Sequence, residues 1–549
     1  MSARGSFAFV LHSHLPYVRQ AGTWPHGEEM VHEAIADTYL PLLDALSDLV
    51  REGCEFRLAV GITPILAEQL SDPTIVENFR AYMEAQIART QKAEDFYAHH
   101  GQPELAALAS WYLARHQDSL RGFDERYHGD LIGAFRRLQD AGYLEIVGSA
   151  ATHGFLPLMS RESTIAAQIA LGVRAHERHF GRKPLSFWLP ECGYRPAYYE
   201  LVRGHAGFRP GLETHLQRHG IRAFFADSTA VEGGEVSELD LRAGYSSALA
   251  SGVEMRIRNL RYKSTAWPYL VSDSTVAVFG RDMLTGRQVW SASEGYPGHA
   301  MYRDFHKKDA ISGMRFWRVT GPRVDLADKA PYVPEWAFSD VDQHVDHFVG
   351  ILERHIAGNM AGADVPPIVV APYDTELFGH WWFEGIEWLK RVLRRLANHP
   401  TIELTTPAAY LQRHPPDEKI ALPESSWGAG SDARTWMNDQ TKWMWPIIHQ
   451  YERQMEQVVA EHRLEDGRTT PVLQQIAREL LLLESSDWPF LISTEQAVAY
   501  ASERFRAHAA RFDRLVDRLS SGTDASDDLC RFHALDNPFP DVDPLAFAA

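Results

Sequence analysis

Two short stretches of this chain carry an acidic side chain out of what reads as a buried strand. In Ser186-Phe187-Trp188-Leu189-Pro190-Glu191-Cys192-Gly193-Tyr194 an apolar run ends in Pro-Glu-Cys-Gly, which delivers Glu191 where a strand gives way to a loop. Far downstream, Pro367-Ile368-Val369-Val370-Ala371-Pro372-Tyr373-Asp374 repeats the design, and Thr375-Glu376-Leu377-Phe378-Gly379-His380-Trp381-Trp382 follows. Enzymes built of alternating strands and helices place their chemistry at such junctions. Two carboxylates on one rim, among Trp, Tyr and His, suit a glycosidic bond: one attacks the sugar while the other protonates the departing oxygen. Read as structure alone, Glu191 and Asp374 would cap helices or pair with Arg195 and His380, and the spacing leaves both readings open.

Histidines gather at the same presumed rim. His12 and His14 lie two apart in a strand-like run and so point to one face, towards the barrel mouth. His-x-His can bind a metal, hydrogen-bond sugar hydroxyls, or be satisfied within a core. With no Asp or third His close by in sequence, substrate contact is the favoured of the three. His153 follows another strand-like run, at 143–149. Trp290, in the turn-rich stretch 288–298, is the candidate for stacking on a sugar, against ordinary packing. Trp436 and Trp443, seven apart, share a helix face and read as one core seam.

The elements that must position these residues follow from periodicity. Strand-like runs occur at 6–11, 55–60, 143–149, 185–189, 221–226, 275–279, 367–371 and 402–405, with helical patterns between them. Such alternation implies a mainly parallel sheet closed into a barrel, with one of the eight candidates outside it. Residues 1–412 form this barrel, interrupted at 73–139 by a charged, strandless stretch that reads as an inserted helical subdomain. Trp111, Tyr112 and Tyr127 within it would pack it onto the barrel. Residues 228–270 have little periodicity and read as a lid loop over the rim. Pro415, Pro416 and Pro423 mark a connector; residues 413–520 then form a C-terminal α-helical domain, helical from about Trp436 onward. Ser493-Thr494-Glu495-Gln496 reads as a capping box opening its last long helix, and 521–549 as a loosely held tail.

Composition narrows the function classes. A chain of 549 residues with 45% hydrophobic side chains is expected to form two or three domains around a large core. A formal net charge of -18 argues against nucleic acid or an anionic membrane as partner and is indifferent to a neutral polymer. Cys54, Cys192 and Cys530 lie far apart, which points to neither disulfides nor a thiolate metal site and fits a reducing cytoplasm. The start of the chain is too short for a signal segment, and no run of about 18 apolar residues occurs. No GxxxxGK[ST] is present, and Gly428-Ala429-Gly430-Ser431-Asp432-Ala433 fits a dinucleotide fingerprint only loosely, so no cofactor is expected. The 15 Trp and 20 Tyr exceed what a core of this size needs and suit flat sugar platforms.

These residues carry a family resemblance. His12-Ser13-His14-Leu15-Pro16-Tyr17, the stretch from Glu145 to His153, Trp188 to Tyr194, Asp374 to Trp382 and Ser426-Trp427-Gly428 resemble, in order, the blocks of glycoside hydrolase family 57, and within it those of 1,4-α-glucan branching enzymes. The resemblance implies a seven-stranded β/α barrel with an inserted helical subdomain and a C-terminal helical domain. It implies Glu191 as nucleophile, Asp374 as general acid/base, and His12, His14 and His153 around the donor sugar. It also implies Trp290, Trp427 and Trp436 as aromatic positions of the groove, Trp436 against the core reading above, with His380 of the fourth block as a further substrate contact. Tyr245 or Tyr269 would tip the lid. The implied activity is retaining cleavage of α-1,4-glucan and transfer of the cut chain to a 6-hydroxyl. Rival readings are a 4-α-glucanotransferase or α-amylase-like hydrolase of the same family, a metal-dependent polysaccharide deacetylase using His12 and His14, and a non-enzymatic glucan-binding protein.

Overall fold

All eight strand-like runs become strands. The computed structural model describes residues 5–23, 25–202, 205–233, 263–291, 294–361, 363–462 and 469–548. In chain order the strands are β1 (Gly5–Ser13), β2 (Leu58–Ile62), β3 (Leu144–Ser149), β4 (Ser186–Trp188), β5 (Tyr198–Val202), β6 (His205–Arg209), β7 (Ala223–Ala226), β8 (Tyr269–Val271), β9 (Ala277–Gly280), β10 (Ile368–Asp374), β11 (Ile402–Leu404) and β12 (Lys419–Ile420). Seven run parallel in the order β10-β1-β2-β3-β4-β7-β9, while β5 and β6 form a separate antiparallel hairpin. The curl is tied across by Asp282 N–H donating to the Val370 carbonyl at 3.0 Å and Ile368 N–H to the Ala266 carbonyl at 2.9 Å. This is the seven-stranded barrel. The eighth expected strand, β11, pairs with Gly5 to Phe7 of β1, below the stretch from Val10 to Ser13 that β2 pairs.

Period-two alternation explains which residues meet at the mouth. On β1, Phe7, Phe9 and Leu11 point outward into the layer of helices, whereas Ala8 and Val10 join Ala59, Val147, Phe225, Phe279, Ile368 and Val370 in the barrel interior. Continuing the inward series past Val10 on β1 and past Val370 and Pro372 on β10 brings His12 and Asp374, and these two are register partners. The interior is thus apolar below and polar at its last layer.

Helices Pro73–His99 and Pro103–Arg121 pair along their lengths as the expected insertion region. Asp72 caps the first by accepting from Thr74 and Ile75 N–H. Tyr112 donates to the Arg315 carbonyl at 2.8 Å, Tyr127 donates to Asp44 at 2.7 Å, and Trp111 packs edge-on against Phe383 at 5.8 Å. These contacts bind the insertion to the barrel flank.

Three readings need correction in the C-terminal part. The first helix there starts at Met444, so Trp436 and Trp443 do not share a helix face. Ser493 ends the short helix Asp487–Ser493, and the long helix Val498–Ser521 starts without a side-chain cap, so no capping box forms; Glu495 instead adopts positive φ. The tail is packed: Ser526–Leu535 is helical, and Phe539, Val542 and Phe547 are buried in the helical core. Their apolar side chains outweigh the Gly, Ser and Asp that made the segment look loose. Of the expected lid at 228–270, residues 234–262, including Tyr245, lie outside the described residues. Tyr269 is buried in β8 and donates to the Ser264 carbonyl at 3.0 Å, which makes it part of the sheet and not a lid tip.

Candidate active site

Glu191 sits in a one-turn helix, Pro190–Cys192, at left-handed dihedrals of φ 62° and ψ 24°, with Cys192 at φ 50°. His153 across the mouth is at φ 57°. Non-glycine residues hold such conformations only where their surroundings fix them, and three together mark a built site. Here the surroundings are two neighbouring loops. Tyr194 and Ser425 exchange backbone hydrogen bonds of 2.8 and 3.0 Å, and Trp427 N–H donates to the Glu191 carbonyl at 3.0 Å. The Trp427 indole N–H then donates to Glu191 Oε2 at 2.8 Å. On the other side Ser486 Oγ donates to Oε1 at 3.4 Å, with His153 Nδ1 3.7 Å away. Burial raises the Glu191 pKa, and the hydrogen bond from Trp427 and the charge of His14 pull it back.

Asp374 ends β10 at the level of His12. Burial, then the neighbouring Glu376 and Glu191, push its carboxyl well above the usual range, opposed by Arg281 and His14. The two acids are therefore differentiated, with Asp374 the more strongly biased to hold a proton. Glu376 itself accepts from the Tyr39 hydroxyl in the core and is pushed up to about 7 by burial.

The three histidines form one stack. His14 lies on His153 with centroids 3.8 Å apart, His12 shares a hydrogen bond of 3.1 Å between its Nε2 and that of His153, and His12 rests on Trp188 at 4.5 Å. Burial, then the charge of His14, lowers the pKa of His12 and of His153, so both are neutral at pH 7. His14 spans from Thr63 Oγ1 to Asp487 Oδ1, 3.1 Å from each. Trp427 stands edge-on to Trp188 at 4.8 Å and to Trp290 at 6.5 Å, so two of the sequence-picked tryptophans wall the same space as Glu191.

Two sequence-picked residues are placed elsewhere. Trp436 is a correction: 1% exposed and stacked on Phe155 at 4.4 Å, it offers no face to a sugar and supports the Trp427 loop from beneath through Gly428. His380 bonds Asp37 at 3.3 Å in a cluster with Arg303 and Arg315, beside the barrel helix that follows β1. Burial pushes Asp37 up, but the hydrogen bond from His380 and the charge of Arg303 leave it well below the carboxylate range.

Three functional candidates went unnoticed in the sequence. Arg281, immediately after β9, lies 3.7 Å from Asp227 and 5.9 Å from the Trp290 ring, and is the main cation opposing the shift of Asp374. Its place directly beyond a barrel strand was the available signal. Ser486 and Asp487 reach Glu191, His153 and His14 from the C-terminal helices, at 333 and 473 residues' separation from the two histidines, and no local pattern marks them. Among the described residues, the group whose ligand atoms converge as a metal site would need is Glu479, His508 and Asp536, deep in the helical core. There Arg511 already meets Asp536 at 2.5 Å.

Comparison with known proteins places the chain in a family. The family model described as glycosyl hydrolase family 57 matches residues 8–423, and that described as 1,4-alpha-glucan branching enzyme, C-terminal, matches residues 447–547. The chain is 44% identical over 518 residues to a 1,4-alpha-glucan branching enzyme of Thermococcus kodakarensis, covering 94% of this chain and 74% of that protein. The crystal structure of that branching enzyme in complex with glucose and additives has a TM-score of 0.89 at 41% identity, covering 99% of this chain and 96% of that one. The alpha-amylase AmyC of Thermotoga maritima has a TM-score of 0.83 at 30% identity, covering 100% of this chain and 99% of the other. By the family match over residues 8–423 and the identity to that branching enzyme, the chain belongs to glycosyl hydrolase family 57.

Proposed function

We propose that this protein is a 1,4-α-glucan branching enzyme acting by retention, with Glu191 as nucleophile and Asp374 as acid and then base. The observation that carries the reading is that the helical region matched as a branching-enzyme C-terminal domain completes the carboxylate site, through Ser486 on Glu191 and Asp487 on His14. Glu191, ionised and held by Trp427 and Ser486, attacks C1 of an α-1,4-linked glucose. Asp374 gives its proton to the departing O4, leaving a chain bound covalently to Glu191. Asp374, now ionised, takes the proton from the 6-hydroxyl of another chain, whose oxygen displaces Glu191 from C1. One α-1,4 bond is exchanged for one α-1,6 bond, with no cofactor. His12, His14 and His153 form the wall on the donor side, and Trp290 and Trp427 exclude water so that the hydroxyl wins.

The polymer is a neutral α-glucan of amylose or glycogen type, and the three unpaired cysteines support a reducing cytoplasmic setting. Hydrolysis is the second reading, favoured by the likeness to an alpha-amylase over the whole chain. The catalytic assignment is tested by Glu191→Gln, which keeps the shape and the acceptor oxygen. Turnover of amylose is expected to fall about a thousandfold or more with the circular dichroism spectrum unchanged; a variant retaining substantial turnover would remove Glu191 from the role.

A further inference from the structure

A cleft of about 670 Å³ lies outside the barrel, between the insertion helix Pro103–Arg121, the segment Leu40–Arg51 that ends the helical run after β1, and the opening turns of Gly385–Ala397 after β10. No residue of the carboxylate site lines it. Its size is that of a ligand site, and its charges say which kind of ligand. Of its four cations, Arg121 pairs with Asp118, Arg126 with Asp44 and Lys390 with Asp48. Arg115 forms no salt bridge among the described residues; its buried guanidinium lies over the Phe383 ring at 4.7 Å within the field of Asp37, with Trp111 edge-on to the same ring. Among the acids, Glu387 pairs with Arg391, while Glu125 is likewise without a partner. What remains free in the cleft is one fixed donor, one acceptor and aromatic surface, with nearly balanced charge.

We propose that this cleft is a second α-glucan site, holding a neutral chain by its hydroxyls between Arg115 and Glu125 and by a sugar face on Trp111. A phosphate or other anion would gain Arg115 but face five carboxylates along the walls, whereas hydroxyls both donate and accept and match both free groups. The location gives the site its use. The helices forming one wall follow β1 and β10, the strands that carry His12 and Asp374, so the cleft lies on the flank of the same barrel. A polymer anchored there is kept at high local concentration for repeated attack. The inference rests on the proposed glucan chemistry but is tested apart from it.

The experiment is native gel electrophoresis through soluble amylopectin, which needs no turnover, combined with steady-state kinetics on long amylose and on maltoheptaose. Arg115→Ala and Glu125→Gln replace side chains at the cleft surface, and thermal melts check that each variant is folded. Retardation by amylopectin is expected to weaken about tenfold in Arg115→Ala, with KM for amylose rising by a similar factor, kcat kept and maltoheptaose kinetics unchanged. Unaltered retardation and KM in both variants would overturn the site, as would a parent protein that the polymer does not retard. So would equal losses on long and short substrates, since these would place the effect at the catalytic rim. A failure of the branching reading appears instead in the parent's products and leaves the gel result standing.

Discussion

Trp427 is the side chain that most opposes the effect of burial on Glu191. Its indole N–H donates to Glu191 Oε2, and in the proposed mechanism Glu191 must be ionised to attack. Trp427→Phe keeps the wall but removes the donor, so the Glu191 pKa rises. The acid limb of the kcat/KM profile, which reports the loss of ionised Glu191 in the proposed mechanism, then moves to higher pH. A lowered rate with an unmoved acid limb would contradict this role. At this scale the sequence was informative where a residue's neighbours are local. Glu191 and Asp374 were legible because each ends an apolar run, and His12 and His14 because they alternate. Their partners were not: Ser486 touches Glu191 across 295 residues, and Trp436, drawn to the groove by resemblance, is buried beneath it by Phe155.

Among the elements, strands were readable because the barrel alternates strictly, with Phe7 and Phe9 outward and Ala8 and Val10 inward. Helix starts were less so. Ser493 to Gln496 has the composition of a capping box, yet tertiary packing ends one helix there and delays the next to Val498. The tail misled for a similar reason, since three well-spaced apolar residues outweigh a polar majority. Deleting residues 537–549 removes Phe539, Val542 and Phe547 from the helical core, a loss of about 6 kcal/mol at roughly 2 kcal/mol for each buried side chain. Urea unfolding followed by tryptophan fluorescence is expected to show an early transition of the C-terminal helices, with activity falling alongside because Ser486 and Asp487 lose their support. An unchanged unfolding curve would return the tail to the loosely held class.

The whole molecule brings residues from β1, β4, β9, β10, the 425–428 loop and the C-terminal helices to one mouth, so catalysis and helical packing are one structure. The barrel chemistry alone does not choose between water and a sugar hydroxyl. In the proposed mechanism that choice lies in the tryptophan walls and the helical cover. Proton NMR of amylose treated with the purified protein, with reducing ends counted in parallel, measures it directly. New α-1,6 signals with few new reducing ends are the predicted result. Reducing ends accumulating without α-1,6 signals would contradict the account and identify a hydrolase.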